Sequence, residues 1–412
     1  MGGGAELNGS TDMGGGADIN GGAGWLVGSR LRRQQLRAPA AAGIGDALKN
    51  LLAVQSQEFA YARWSLAQRC ARDTKGVAGL AAGVEDAVAD GTILRTHVLR
   101  PTWHFVHRDD LDWLMELSAP RLHQGNKGMY RQTGVDATAA ARSADLLAAA
   151  VAGGAHKTRE ELAVVLGNAG FPAKGLGFIY LLMHAEINRV LVSGAPVRTA
   201  GGALKQTYAS FPERARQAPS PENGASAAAE RRENSLAQLA LRYFRSRGPA
   251  TVKDCAAWSG LTVGEVRAGL QLAAEISPGA LASFSRDGLE FHLAAEELDA
   301  AASAASGSGP VVPGTPAPKI DLVQCYDEYV MGYSQTRNHL GGTAPYFAPA
   351  GAPMHVVLLD GRLAGWWRHG FSGGECGLEV KMDRPLDTGG RSALEAEAAR
   401  YEAFLGMPVK VG

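Results

Sequence analysis

Residues 233–294 constrain the fold more than any other stretch of this chain. "ENSLAQLALRYFRSRG" repeats its apolar residues with a helical period and stops at Gly248. "TVKDCAAWSG" is a shorter helical segment ending at Gly260. "TVGEVRAGLQLAAE" opens with Thr262 and Glu265, the spacing at which the two side chains can cap each other's backbone N–H groups. "ALASFSRDGLEFHLA" predicts a hairpin turning at Asp287-Gly288, a pair that tolerates the positive φ a tight turn demands. Three helices and then a hairpin make a winged helix, whose third helix is the usual reader of a DNA groove.

The same order recurs twice upstream. Over 158–211, Thr158 and Glu161 can cap one helix, "GFIYLLMHAEINRVLV" supplies another, and "VLVSGAPVRTAGGALKQTYASF" a long wing. Over 46–106, two helical stretches lead to "LAAGVEDAVADG" and then to the extended pair "ILRTHVLRPTWHFV". The repeats share architecture and not residues. Beyond them, "MHVVLLDGRLAGWWRH" and "CGLEVKMDRPL" predict strands, and "ALEAEAARYEAFLG" a closing amphipathic helix, the makings of a small β-barrel. Stretches rich in Ala, Ser, Pro and Gly punctuate the chain. The expected organisation is a disordered glycine-rich tail at 1–24 and winged helices at 25–135, 136–215 and 231–298. Linkers follow at 216–230 and 299–318, with the barrel and its helix at 319–412. The fold class is therefore α+β.

Composition excludes several functions. No apolar run reaches the length of about eighteen residues that a membrane-spanning helix needs. The four cysteines are far apart and form no CxxC pair, so neither a metal site nor a disulfide framework is expected, and reduced thiols suit the cytoplasm. No phosphate-binding glycine motif suggests a nucleotide cofactor. Lysine plus arginine and aspartate plus glutamate both total 41. Nucleic-acid binders usually carry a basic excess, so contact with DNA must rest on local patches. "RLRRQQLR", with Arg30, Arg32 and Arg33, is one such patch.

The stretch "LLAVQSQEFAYARW", 51–64, raises a chemical question. Gln55 falls on the apolar stripe of Leu48, Leu51, Leu52 and Phe59, where a leucine would pack. In one continuous helix Gln55 and Gln57 would point about 200° apart and share no target. In extended backbone, residues two apart face the same way. Joint action requires the helix to break near Val54 and resume near Glu58. The competing reading is a single helix with one buried and one solvated glutamine.

"LLAVQSQEFAYARWSLAQR", "RTHVLRPTWHFVHRDDLDWL", "GPATVKDCAAWSGLT", "YDEYVMGY" and "VVLLDGRLAGWWR" occur in this order. Together they resemble the AlkZ/YcaQ family of winged-helix DNA glycosylases over roughly residues 25–412. The resemblance implies a C-shaped monomer of three winged helices and a barrel that embraces double-stranded DNA. It implies excision of bulky purines alkylated at N7, unhooking of interstrand crosslinks in some members, and self-resistance to alkylating natural products. Gln55 and Gln57 match the family's catalytic Gln-x-Gln. The middle residue is usually apolar, and here it is Ser56. Neutral amides suit this chemistry, because an N7-alkylated guanine is already cationic and leaves without protonation. An amide oxygen can hold the attacking water and face the positive charge on the sugar. No cofactor is implied.

Arg95, His97, Arg100 and Thr102 in "RTHVLRPT" are then candidate DNA contacts, with Tyr208 on the second wing and Lys253 beside the third module's helices. His104 and His107 lack a convincing third ligand, so no metal is expected. Asp327 and Glu328 of "YDEY" are adjacent, whereas an acid/base pair needs separated carboxylates, so a structural role is expected for both. The alternative to a glycosylase is a non-enzymatic winged-helix DNA binder or regulator, since a fold alone does not choose a function.

Overall fold

The computed structural model describes residues 22–71, 80–199, 204–215, 225–305, 317–341 and 354–412, and shows a mixed α+β chain. The expected tail lies almost wholly outside the described residues. Helix Gly22–Arg33 precedes a first unit of helices Ile44–Leu51, Phe59–Ala67 and Leu80–Ala89. Its sheet runs Ala53–Gln55, Trp103–His107, Ile93–His97, so the hairpin's second strand is central. Helix Arg108–Thr133 leads to a second unit of helices Ala137–Val151, Arg159–Asn168 and Gly175–Ile187. In that unit strand Thr207–Ser210 pairs with both Lys157–Thr158 and Leu191–Ser193.

The third unit has helices Ala225–Arg247, Val252–Ser259 and Val263–Ile276 and the hairpin Leu281–Arg286 with Leu289–Ala294. Reciprocal capping occurs at Thr262 with Glu265, and also at Thr251 with Asp254. Two linker boundaries shift. Residues 225–230 extend a helix rather than a linker, and Ala295–Ala305 is helical. Their alanines carry high helix propensity, which outweighs the low complexity that suggested a break.

The last unit is a five-stranded sheet ordered Ile320–Val323, His355–Leu359, Arg362–Ser372, Glu375–Met382, Val409–Val411. Among the described residues it is an open sheet, with no pairing between its two edge strands, where a small barrel was expected. Helix Thr388–Leu405 covers it, burying Tyr401 and Phe404 against Trp367, Leu322 and Val357. That core also takes Tyr61 and Trp64 from the first unit.

A second core ties the first and third units together. Leu52, Leu94, Leu111, Tyr243, Phe244 and Trp258 belong to one buried cluster, with Tyr333 from the last segment. The units therefore do not stand apart. The strand Ala53–Gln55 sits where the first unit, the third unit and the segment before His355 meet.

Candidate active site

The helix does break before the glutamines, and it breaks earlier than expected. It ends at Leu51, Leu52 takes φ 66°, strand Ala53–Gln55 follows, and the next helix starts at Phe59. A positive φ at a leucine is strained, by roughly 1–2 kcal/mol, and needs surroundings that enforce it. Arg247 supplies them. Its guanidinium is fully buried, with Nη1 donating to the carbonyl of Leu51 (2.8 Å) and Nη2 to that of Ala53 (3.2 Å). One side chain thus grips the backbone on both sides of Leu52, while Leu51, Leu52 and Ala53 are wholly buried.

Glu328 completes this brace. Its buried carboxylate accepts from Arg247 Nη2 at 2.6 Å, from Trp258 Nε1 at 2.7 Å and from the backbone N–H of Gln55 at 2.9 Å. Gln324 Nε2 donates to the carbonyl of Gln55 at 3.0 Å. Gln55 lies opposite His104 in the ladder, and its own N–H and C=O turn away from that strand. The segment 324–328 takes the place of a neighbouring strand and satisfies both groups. Its other acid, Asp327, is equally buried and holds Arg69 through two hydrogen bonds, 3.0 and 2.7 Å. Both "YDEY" carboxylates are therefore consumed by the scaffold.

The two glutamine side chains reach one hairpin turn. Gln55 is 3% exposed, and its Oε1 accepts from Arg100 Nη2 at 3.1 Å. Gln57 is exposed, and its Oε1 accepts from the backbone N–H of Trp103 at 3.4 Å. Between them Ser56 is buried. Its N–H donates to Trp103 O at 2.7 Å and its carbonyl accepts from Arg95 Nε at 3.0 Å, while its hydroxyl has no partner among the described residues. The fold thus buries this side chain as it would an apolar one. Glu58, after Gln57, turns to His355 Nε2 at 3.4 Å, and Tyr61 stacks between His355 and His369, joining the helix Phe59–Ala67 to the terminal sheet.

The structure sorts the expected DNA contacts. Arg30 is fully buried, donating to Pro249 O and to Thr336, with its guanidinium 3.8 Å from the centre of the Tyr333 ring. It cannot reach a phosphate from there. Arg32 pairs with Glu297 and Arg33 with Glu296, so this basic run is largely neutralised by the helix beginning at Ala295. Arg95 lies over the Trp103 ring at 4.4 Å and holds the Ser56 carbonyl; burial lowers its pKa to about 10. His97 is buried and bonded to Glu186 at 2.6 Å, and Trp103 Nε1 donates to the same carboxylate at 3.2 Å. Tyr208 is buried in the second unit's core, where burial raises its pKa. His97 and Tyr208, like Arg30, are internal groups and not surface contacts. Arg100 and Thr102 stand in the turn beside the glutamines, and Lys253 is exposed. His107 caps the following helix through the N–H of Asp109.

Gln324, Glu328, Arg247 and Trp258 were not singled out as parts of the site in the sequence. Trp258 and Glu328 carried a signal only through the stretches "GPATVKDCAAWSGLT" and "YDEY". No helix among the described residues is long and apolar enough to cross a membrane.

A family model described as "DNA glycosylase AlkZ-like" matches residues 48–404. Among solved structures, the Streptomyces sahachiroi DNA glycosylase AlkZ superposes with a TM-score of 0.67 at 20% identity, covering 94% of this chain and 99% of that one. At that identity the likeness establishes the fold. No curated protein matches the sequence. A fold of this kind with a family match over the site and both flanking units defines a DNA glycosylase. The chain belongs to the AlkZ-like DNA glycosylase family.

Proposed function

We propose that this monomer excises bulky N7-alkylated guanine from duplex DNA, with Gln55 and Gln57 as its catalytic residues, and that it also unhooks interstrand crosslinks joined through such guanines. In this reading each helical unit with its hairpin is a winged helix, and the units and the terminal sheet form a C-shaped embrace of the duplex. The role is protection against alkylating natural products. One observation carries the reading: the braced break at Leu52 brings both glutamines to the turn 98–103.

The reaction needs no acid. Water attacks C1′ as the C1′–N9 bond breaks, and the bond's electrons neutralise the cationic base. The proton from the water passes to solvent. Neutral amides position the water and face the sugar's developing charge without titrating. The exposure of Gln57 favours a nucleotide approached near the helix rather than one rotated into a sealed pocket, as a crosslinked guanine requires.

The test is release of free alkylguanine from duplexes carrying a simple N7 adduct, a bulky adduct or a crosslink. Gln55→Ala and Gln57→Ala should each slow release by about 10²–10³-fold, the scale for one positioned polar group. DNA affinity should change little, because phosphate contacts dominate it. Wild-type rates in both variants would remove the glutamines from the mechanism, and no release by the wild type would remove the activity.

A further inference from the structure

The two glutamines are not equivalent. A guanidinium only donates hydrogen bonds, so the amide atom of Gln55 that meets Arg100 must be its oxygen. Arg100 is itself fixed. His104 Nδ1 lies 2.9 Å from the carbonyl of Thr102, which only accepts, so Nδ1 carries the proton and Nε2 is free to accept. That Nε2 lies 3.2 Å from the same Arg100 Nη2. Burial, reinforced by Arg100, holds the His104 pKa well below its usual value and keeps the ring neutral. One nitrogen of Arg100 thus serves both His104 and Gln55.

The consequence falls on the other end of the amide. Gln55 Nε2 meets no acceptor among the described residues, and it is not among the fully enclosed atoms that lack a partner. Hydrogen bonding at the oxygen also polarises the amide and strengthens its N–H groups as donors. Gln57 differs: among the described residues its oxygen meets only the long contact to Trp103 N–H, and the side chain is exposed.

We propose that Arg100 is a positioning residue that locks the Gln55 amide with its nitrogen toward the DNA. Gln55 then donates a hydrogen bond to an acceptor atom of the lesion nucleotide, and the Gln57 oxygen holds the attacking water. This rests on the reading that the pair is catalytic, and it divides the work within the pair. The acceptor is a lone pair on oxygen or nitrogen, supplied either by the phosphate flanking the lesion or by the minor-groove N3 of the base.

The decisive variant is Gln55→Glu. It is nearly isosteric, pairs one oxygen with Arg100, and puts an acceptor where the NH₂ stood. Single-turnover release of N7-methylguanine should fall about 10²-fold or more, as in Gln55→Ala. A Gln55→Glu rate within tenfold of wild type, beside a slow Gln55→Ala, overturns the donor role and leaves the catalytic reading standing. A wild-type rate in Gln55→Ala defeats the catalytic reading itself. Arg100→Met should slow release at least tenfold, and Arg100→Lys should recover part of it. The salt dependence of DNA binding should stay unchanged in Arg100→Met. A slope reduced by about one would make Arg100 a phosphate contact instead. Duplexes with a methylphosphonate at the flanking phosphate, or with a lesion lacking N3, separate the acceptors. The substitution that slows the wild type and leaves Gln55→Ala unaffected marks the acceptor, and if neither does so the donor role fails.

Discussion

Removing the charge on Glu328 tests the brace beneath the strand Ala53–Gln55. In Glu328→Gln the shape stays, but the amide oxygen can replace only one carboxylate oxygen. The new NH₂ then faces a donor: either Gln55 N–H on one side, or Arg247 and Trp258 on the other. Breaking a buried ion pair costs about 3–5 kcal/mol, because the remaining charge stays buried. A buried donor left unpaired adds about 1–3 kcal/mol before relaxation. These effects overlap, so about 4 kcal/mol is the expected total, a large share of the roughly 5–15 kcal/mol that holds most domains folded. Urea unfolding measures the loss. In parallel, hydrogen exchange at the Gln55 amide should accelerate, since its acceptor is replaced or repelled. A double-mutant cycle with Arg247→Met should give a coupling of about 2–3 kcal/mol. A loss below about 1 kcal/mol with the Gln55 amide still protected would refute the idea that this carboxylate enforces the strand.

Three further outcomes follow from groups around the site. Arg30→Ala should destabilise by about 3 kcal/mol, since it removes a buried guanidinium and its four hydrogen bonds and leaves the acceptors of Pro249 and Thr336 without that donor, yet leave the salt slope of DNA binding unchanged; a reduced slope would return it to the DNA surface. Ser56→Ala should be neutral or stabilising by up to about 1 kcal/mol, because it deletes a buried hydroxyl without a partner, and thermal unfolding would show a loss if that hydroxyl were satisfied. His369 sits between Tyr61 and Tyr401, with His355 and Arg63 near, and burial lowers its pKa to about 4. From pH 6.5 down to about 4 the unfolded chain binds this proton and the folded chain does not, so its contribution is intact above about 6.5 and declines as pH falls. His369→Phe should flatten that acid limb by up to about 3 kcal/mol, and an unchanged limb in urea titrations at stepped pH would exclude the residue.

What the sequence revealed and what it hid divide by distance along the chain. The third unit was legible because its instructions are local. Thr262 caps through Glu265 three residues on, and Asp287, with φ 50°, and Gly288 turn the hairpin by themselves. The break at Leu52 could be argued from the chemistry two glutamines would need, but not placed. The group that grips Leu51 is 196 residues away, and the carboxylate that takes the Gln55 N–H is 273 residues away. The arginines show the same division. "RLRRQQLR" looks like a DNA-facing patch, but Arg30 lies inward on its helix and meets Pro249 and Thr336. Arg33 lies outward and meets Glu296, an acid 263 residues away that no local pattern pairs with it. Arg100 is the instructive exception. It was expected as a DNA contact, and the structure places its guanidinium against Gln55 Oε1. A basic residue beside an amide can act by aiming that amide, and only the atom it touches distinguishes this from a phosphate contact.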